Sequence, residues 1–175
     1  MLIQQPELIS IRENKPTLVK NFITLKRKYD FNLLSQFMEE NDSTVISHSS
    51  IGNLRDIFRI PKVSGYLKEF KTFFDFLTKM FNYQRDEKDE VDLFFSFVSQ
   101  SGHSHVDVED VFIIGLEGRV IYKVFNDENK NYTVEKGDMV FIPKGLKHKV
   151  IALDPRVIAS VGFFGDRVKS VQWLP

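Results

Sequence analysis

The feature that most constrains the fold is a run of short apolar segments in the second half of the chain, each bounded by turn residues. Glycine, proline, asparagine and aspartate separate them, as at Gly118, Gly137-Asp138 and Asp154-Pro155. Short strands at regular spacing with such turns are typical of an antiparallel barrel or sandwich. The predicted strands are Leu93–Val98, Val111–Ile114, Val120–Phe125, Tyr132–Val134, Met139–Ile142, Val150–Leu153 and Val157–Phe163.

The residues before this region predict a mixture of helices and strands. Asp30 is expected to cap a helix that starts at Phe31. Apolar residues between Leu67 and Phe81 recur at spacings of three and four, which predicts a helix with one apolar face packed on a sheet. Pro16–Phe22 predicts a further short strand. We therefore expect a mainly β chain in which a prologue (about residues 1–90) precedes a barrel core (about 91–165).

Composition narrows the classes of function. With 175 residues and 42% hydrophobic content, the chain suits one domain spanning 1–175 with one core. The 24 basic and 24 acidic residues balance, so neither nucleic acid nor an anionic membrane is expected as a partner. There is no cysteine, which excludes disulfides, thiolate zinc sites and a cysteine nucleophile and fits a cytoplasmic protein. The first residues do not resemble a secretory signal, and no apolar stretch approaches the length of about 18 residues needed to span a membrane.

Three side chains in two segments predict a metal site. His105 and Asp107 are two residues apart, so on an extended strand they point to the same side. His148 follows 43 residues later, after a Gly137-Asp138 turn, an apolar strand and Pro143. Two imidazoles and one carboxylate suit non-haem Fe(II) and leave coordination positions open. On residue types alone, an ordinary hydrogen-bonded His105 at a strand end is an equal alternative.

The same two segments resemble a known family. Residues 105–119 (HVDVEDVFIIGLEGR) and 137–148 (GDMVFIPKGLKH) are similar to the metal-binding segments of the JmjC-type oxygenases, nearest to the ribosomal-protein hydroxylases. Residues 15–22 and 159–163 resemble the opening and closing strands of that family. The resemblance implies a double-stranded β-helix (jelly-roll, cupin-type) with a few N-terminal helices packed on the barrel.

The activity that this resemblance implies is that of an Fe(II)- and 2-oxoglutarate-dependent hydroxylase. His105, Asp107 and His148 would be the catalytic metal ligands. The co-substrate 2-oxoglutarate would be decarboxylated to succinate while a C–H bond of a protein, peptide or small amino-acid-like substrate is hydroxylated. The chain is expected to lack the C-terminal dimerisation and winged-helix parts of the ribosomal hydroxylases, so recognition of a ribosomal protein is not carried over. A homodimer is expected only by analogy.

One position departs from the family pattern. The resemblance implies a lysine or arginine two residues after Gly118, paired with the distal carboxylate of 2-oxoglutarate, but that residue is Val120. Either 2-oxoglutarate is not used, or another residue supplies the contact. Strand alternation gives Arg119 and Lys123 the opposite side to Val120, which argues against both. The candidates for binding the co-substrate are Arg119, Lys123, Lys147 and Ser160.

Two further alternatives stay open. A four-ligand cupin site would use His103 and Glu109 in addition to the two other histidines, with chemistry that does not involve 2-oxoglutarate. A barrel without metal would act as a binding module. Glu109 or Asp110 would either orient a ligating imidazole or be an exposed turn acid, and His48 is expected to be an ordinary surface or hydrogen-bonded histidine.

Overall fold

The structure is a computed structural model that describes residues 1–40, 46–47, 57–65, 67–96 and 103–167. Its helices are α1 (Gln5–Arg12), α2 (Phe31–Glu40) and α3 (Lys68–Phe81), with a 3₁₀ turn at Val63–Gly65. Its strands are β1 (Thr17–Val19), β2 (Ile46–Ser47), β3 (Ile57–Ile60), β4 (Glu90–Ser96), β5 (Asp110–Glu117), β6 (Val120–Val124), β7 (Asn131–Val134), β8 (Met139–Ile142), β9 (His148–Ala152) and β10 (Arg156–Phe163).

The strands form two antiparallel sheets. The larger has the order β1-β8-β5-β10-β4-β3-β2, and the smaller has the order β7-β6-β9. One apolar cluster joins them, with Val111 and Ile113 from the larger sheet and Val120, Val124 and Val134 from the smaller. The prediction of a mainly β, cupin-type jelly roll with N-terminal helices is confirmed. Because β1 pairs with β8, the prologue contributes a strand to the same sheet as the core.

Strand β5 explains why the sequence there is apolar without alternation. Val111 and Ile113 belong to the cluster between the sheets, whereas Phe112 and Ile114 belong to the cluster on the helical side. A strand covered on both faces needs apolar residues at every position. This double cover makes β5 a rigid base for the segment that leads into it from Asp107.

Helix α3 covers the outer face of the larger sheet. Its buried residues include Phe74 and Phe81. The Phe74 ring stacks on Phe163 with centroids 5.1 Å apart, and the Phe81 ring stacks on Phe112 at 5.3 Å. The predicted apolar helix face packed on a sheet is thus confirmed. The helix ends at Asn82, whose left-handed backbone (φ 54°) is one that asparagine tolerates.

The other local predictions have mixed outcomes. Asp30 caps α2 as expected, since its Oδ1 accepts hydrogen bonds from the backbone N–H groups of Asn32 (3.1 Å) and Leu33 (3.4 Å). Strand β9 begins at His148, two residues earlier than predicted, because His148 pairs with Val124 of β6. The prediction for His48 lies outside the described residues. No helix in the described ranges is long and apolar enough to span a membrane.

Candidate metal centre

His105, Asp107 and His148 meet at one point, and their ligand atoms all lie within 4.8 Å of one another. The Asp107 carboxylate is central: its Oδ1 is 3.7 Å from His105 Nε2 and its Oδ2 is 3.4 Å from His148 Nε2. Neighbouring ligands of a first-row divalent ion are about 3 Å apart when the metal–ligand bonds are about 2.1 Å. Small side-chain adjustments therefore suffice to close these three atoms around an ion.

The backbone holds the two histidines together. The N–H of His105 donates to the carbonyl of His148, and the N–H of His148 donates to the carbonyl of His105, each at 2.9 Å. The Gly145 N–H also donates to the Asp107 carbonyl at 2.9 Å. Gly145 has a positive φ of 79°, which glycine adopts without steric cost. Two segments that are distant in the chain are thus joined by main-chain bonds on both sides of the cluster.

Both imidazoles present the same nitrogen to the centre. His105 Nδ1 lies 3.1 Å from the carbonyl oxygen of His103, and His148 Nδ1 lies 3.0 Å from that of Leu146. A carbonyl only accepts hydrogen bonds, so each Nδ1 carries the proton. In a neutral ring the lone pair is then on Nε2, which is the atom that faces Asp107.

Burial tunes the protonation of His148. This side chain is 2% exposed, whereas that of His105 is 49% exposed. Burial lowers the pKa of the His148 imidazole, although its hydrogen bond to Leu146 and the Asp107 charge oppose this. The neutral, metal-binding form of His148 is therefore favoured.

The cluster opens into a cavity of about 530 Å³ between the two sheets. Alternate residues of β10, including Arg156, Ile158 and Ser160, line it, as do Tyr122 of β6 and Val111 and Ile113 of β5. This pattern follows from strand geometry, in which residues two apart share a face. Ser160, a predicted cofactor-binding residue, thus lies in the same cavity as the three candidate ligands.

The three basic residues named as candidates for binding the co-substrate lie outside the lining of the cavity. Arg119 is exposed and its Nε pairs with Asp154 Oδ2 at 2.6 Å. Lys123 and Lys147 both place their ammonium groups over the Phe125 ring, at 5.3 and 5.9 Å from its centroid. None of the three lines the cavity. For Arg119 and Lys123 the reason is alternation, because Val120, Tyr122 and Val124 are the inward residues of β6.

Val120 lies away from the cavity, in the apolar core. It is buried in the apolar cluster between the sheets and does not line the cavity. The residue of β6 that does line it is Tyr122, which is buried and whose ring centroid lies 6.2 Å from that of His148. Burial raises the pKa of the Tyr122 hydroxyl, so the phenol remains a neutral hydrogen-bond donor.

Sequence reasoning did not single out Arg156, the most unusual group in the cavity. The residue is 5% exposed, and its Nε and Nη1 are buried without a hydrogen-bond partner in the described part of the chain. Burial lowers the pKa of this guanidinium. Strand alternation could have identified it, because Arg156 is four residues from Ser160 and residues an even number apart on one strand lie on the same face. The predicted strand Val157–Phe163 excludes Arg156, whereas β10 begins at this residue.

The two candidate acids that follow Asp107 have different roles. Glu109 lines the cavity, and burial and then the charge of Asp107 raise the pKa of its carboxyl group. Asp110 fits neither alternative, because its hydrogen bonds go to other groups than the imidazoles and it is buried, not an exposed turn acid. Its Oδ2 accepts hydrogen bonds from the Tyr83 hydroxyl (2.7 Å) and Arg167 Nη2 (2.9 Å), and its Oδ1 accepts one from the Lys144 N–H (2.9 Å).

The four-ligand alternative finds partial support in position only. His103 and Glu109 both line the cavity. Among the described residues, however, the group close enough to share an ion consists of His105, Asp107 and His148.

The three candidate ligands lie within the part of the chain that resembles a known sequence family. Residues 98–161 match the sequence profile of the Cupin domain family. A stretch of 69 residues is 33% identical to "Probable inactive acireductone dioxygenase 1" of Caenorhabditis elegans, over 38% of this chain and 43% of that protein. The chain thus spans less than half the length of this relative.

Solved structures extend the likeness to almost the whole chain. The ribosomal oxygenase YcfD of Escherichia coli, in complex with cobalt and succinic acid, matches with a TM-score of 0.73 and 19% identity, over 93% of this chain and 52% of that one. Its complex with cobalt and 2-oxoglutarate matches with a TM-score of 0.72 and 21% identity, over 93% and 52%. The non-haem α-ketoglutarate-dependent epimerase SnoN of nogalamycin biosynthesis matches with a TM-score of 0.65 and 9% identity, over 91% and 81%. We conclude that residues 98–161 are similar to the Cupin domain family, and that the chain shares the cupin-type double-stranded β-helix fold with the ribosomal oxygenase YcfD.

Proposed function

We propose that the chain is an Fe(II)- and 2-oxoglutarate-dependent hydroxylase that acts on a protein side chain or a small amino-acid-like molecule. The observation that carries this proposal is the convergence of two Nε2 atoms and one carboxylate at a cavity. Three ligands on one side of an ion leave the opposite positions free for other molecules, as the facial arrangement of non-haem Fe(II) oxygenases requires. Solved structures of similar fold include a ribosomal oxygenase in complex with cobalt and 2-oxoglutarate and an epimerase described as α-ketoglutarate-dependent.

The donor chemistry fits Fe(II). There is no cysteine in the chain, so thiolate ligation is excluded, and imidazole with carboxylate suits Fe(II). When bound together, Fe(II), dioxygen and 2-oxoglutarate supply a two-electron oxidation that converts a C–H bond to C–OH and yields succinate and carbon dioxide.

The protein's own residues would contribute position and environment. His105, Asp107 and His148 would hold the ion, and the Nδ1–H bonds to His103 and Leu146 keep both rings turned towards it. The apolar wall of the cavity, including Ile113 and Ile158, would limit access of water, which strengthens electrostatic interactions inside.

The test combines metal binding with product formation. His148→Ala is expected to weaken Fe(II) binding by more than about 100-fold, since even loss of an outer-shell partner costs up to that much. Wild-type protein is expected to release succinate from 2-oxoglutarate in the presence of Fe(II) and dioxygen, as measured by NMR. Protein that binds Fe(II) stoichiometrically but neither binds nor consumes 2-oxoglutarate would contradict the proposal.

His103→Ala is the matched control, because it removes another imidazole of the same cavity that lies outside the cluster. It is expected to leave Fe(II) affinity unchanged. A loss as large as that of His148→Ala would instead favour the second candidate, a metal-binding cupin with other chemistry that uses His103 and Glu109. That candidate is supported by the position of both residues on the cavity wall.

A non-catalytic barrel is the third outcome, and the relative named as an inactive dioxygenase motivates it. Its sign would be no metal uptake by wild-type protein purified without a histidine tag. The homodimer, the single domain over 1–175 and the cytoplasmic location stay predictions.

A further inference from the structure

Arg156 is a buried cation without a counter-charge among the residues that the structure describes. Within the same residues, its Nε and Nη1 have no hydrogen-bond partner, and no carboxylate forms an ion pair with it. Arginine stays protonated in proteins, and buried charges are otherwise paired or bound to ions. An unpaired guanidinium in the wall of a cavity can form an ion pair with an anion that enters from the solvent.

The second arginine of the cavity differs in this respect. Arg59 Nη2 pairs with Glu90 Oε1 and with Asp92 Oδ2, both at 2.6 Å. Two carboxylates therefore already neutralise Arg59. Of the two described arginines that line the cavity, Arg156 is the one without a carboxylate partner among the described residues.

The surroundings of Arg156 connect it to the candidate metal centre. Tyr122 lines the same wall, lies beside the His148 ring, and is close enough to Arg156 for electrostatic interaction between the two side chains. Ser160 adds a hydroxyl on the same face of β10. A molecule that enters the cavity would thus meet the candidate ligands, a phenol, a hydroxyl and a guanidinium on one continuous surface.

We propose that Arg156 binds the distal carboxylate of 2-oxoglutarate. It would thereby take the role of the basic residue that the family pattern has at the position of Val120. The identity of this ligand rests on the proposed function. A guanidinium can donate two parallel N–H bonds to one carboxylate, so the site selects a dicarboxylic 2-oxo acid over one with a single carboxylate. Ser160 and Tyr122 offer additional donors to the same molecule.

The experiment is calorimetric binding to protein loaded with Mn(II), so that no turnover occurs. The probes are 2-oxoglutarate and 2-oxopentanoate, which has the same chain length but no distal carboxylate. Wild-type protein is expected to bind 2-oxoglutarate at least about 30-fold more tightly, the low end of what a buried charged hydrogen-bonded pair contributes. In Arg156→Gln this preference is expected to disappear, with 2-oxopentanoate affinity unchanged and partial recovery in Arg156→Lys.

Controls separate this inference from the proposed function. Arg119→Gln, which removes an exposed arginine outside the cavity, is expected to bind 2-oxoglutarate like wild type. Arg156→Gln is expected to keep its Mn(II) affinity, which shows that the centre is intact. Equal binding of 2-oxoglutarate by wild type and Arg156→Gln would overturn the role of Arg156 while leaving the proposed function standing.

A second measurement tests the carboxylate site at Arg156 in the case that the proposed function is wrong. If Mn(II)-loaded wild type binds no 2-oxo acid, metal-free protein is titrated with glutarate and succinate while its thermal midpoint is followed. Stabilisation of wild type but not of Arg156→Gln would retain a carboxylate site at Arg156 without oxygenase chemistry. No stabilisation of either protein would overturn the inference as well.

Discussion

Asp110 supports the turn that precedes His148, and its replacement by asparagine should destabilise the protein. The Lys144 N–H donates to Asp110 Oδ1, and Arg167 donates to Oδ2 through Nε (3.1 Å) and Nη2 (2.9 Å). The side chains of Asp110 and Arg167 are 8% and 15% exposed. Asp110→Asn keeps the shape but removes the charge, so the largely buried guanidinium loses its counter-ion.

The magnitude follows from this burial. Removing one partner of a buried ion pair costs about 3–5 kcal/mol, because the other charge stays uncompensated. Arg167 also donates to the Ile11 carbonyl, which places the expected loss near the lower end, about 3 kcal/mol. For a chain of this size each kcal/mol lowers the thermal midpoint by about 2–4 °C, so a fall of roughly 6–12 °C is expected.

Urea unfolding and thermal scans of the two proteins would measure the change. Asp166→Asn is the matched control, since Asp166 is an exposed neighbour whose carboxylate pairs with Lys144 Nζ, and it should leave the midpoint unchanged. Because the Lys144–Gly145 turn also bonds Asp107, metal affinity should fall in Asp110→Asn and not in Asp166→Asn. A midpoint for Asp110→Asn within experimental error of the control would refute the reasoning.

Two other substitutions test the fold and the cavity. Gly115→Ala should lower the thermal midpoint strongly, because a Cβ there would lie 2.2 Å from the Glu135 carbonyl oxygen, whereas Gly65→Ala, with no atom within 4 Å, should change it little. Burial and then the charge of Asp92 raise the pKa of the Glu90 carboxyl group in the folded protein. The folded state therefore binds this proton more tightly than the unfolded state does. Protonated Glu90 favours folding below the ordinary pKa of 4.5, and this contribution to stability is lost as the pH rises through the pKa of the folded state. Chemical unfolding at pH 4 and pH 7 should therefore show wild type losing stability relative to Glu90→Gln as the pH rises, and a constant difference between the proteins would contradict the sign.

Much of the barrel could be predicted because its signals are local. Short apolar runs bounded by turn residues predict strands at Val120–Phe125 and Met139–Ile142 without reference to any partner strand, and the structure has strands at Val120–Val124 and Met139–Ile142. Helix α1 is different, since its sequence has no clear apolar face and its start depends on the Glu7 carboxylate accepting the Gln4 N–H. Such a weak helix gives no periodic signal, and no helix is predicted there.

The candidate site shows the same division between local and distant information. The spacing of two residues predicts that His105 and Asp107 face the same side of an extended segment, although the structure has only an isolated bridge at His105 and β5 begins at Asp110. The turn at Gly145 precedes His148 and returns it to the same place. The role of Asp110 depends on partners 27 and 57 residues away, which sequence spacing does not reveal. The position of Arg156 in the cavity is not predicted, because the residue is the first of its strand and strand boundaries are the least precise part of a prediction.

The reciprocal main-chain bonds between residues 105 and 148 have a consequence for how the protein matures. Folding alone assembles both imidazoles, so an incoming ion has little ordering left to achieve. Protein without metal should therefore already protect these two amides from hydrogen exchange, and binding of an ion can follow completion of the fold instead of driving it.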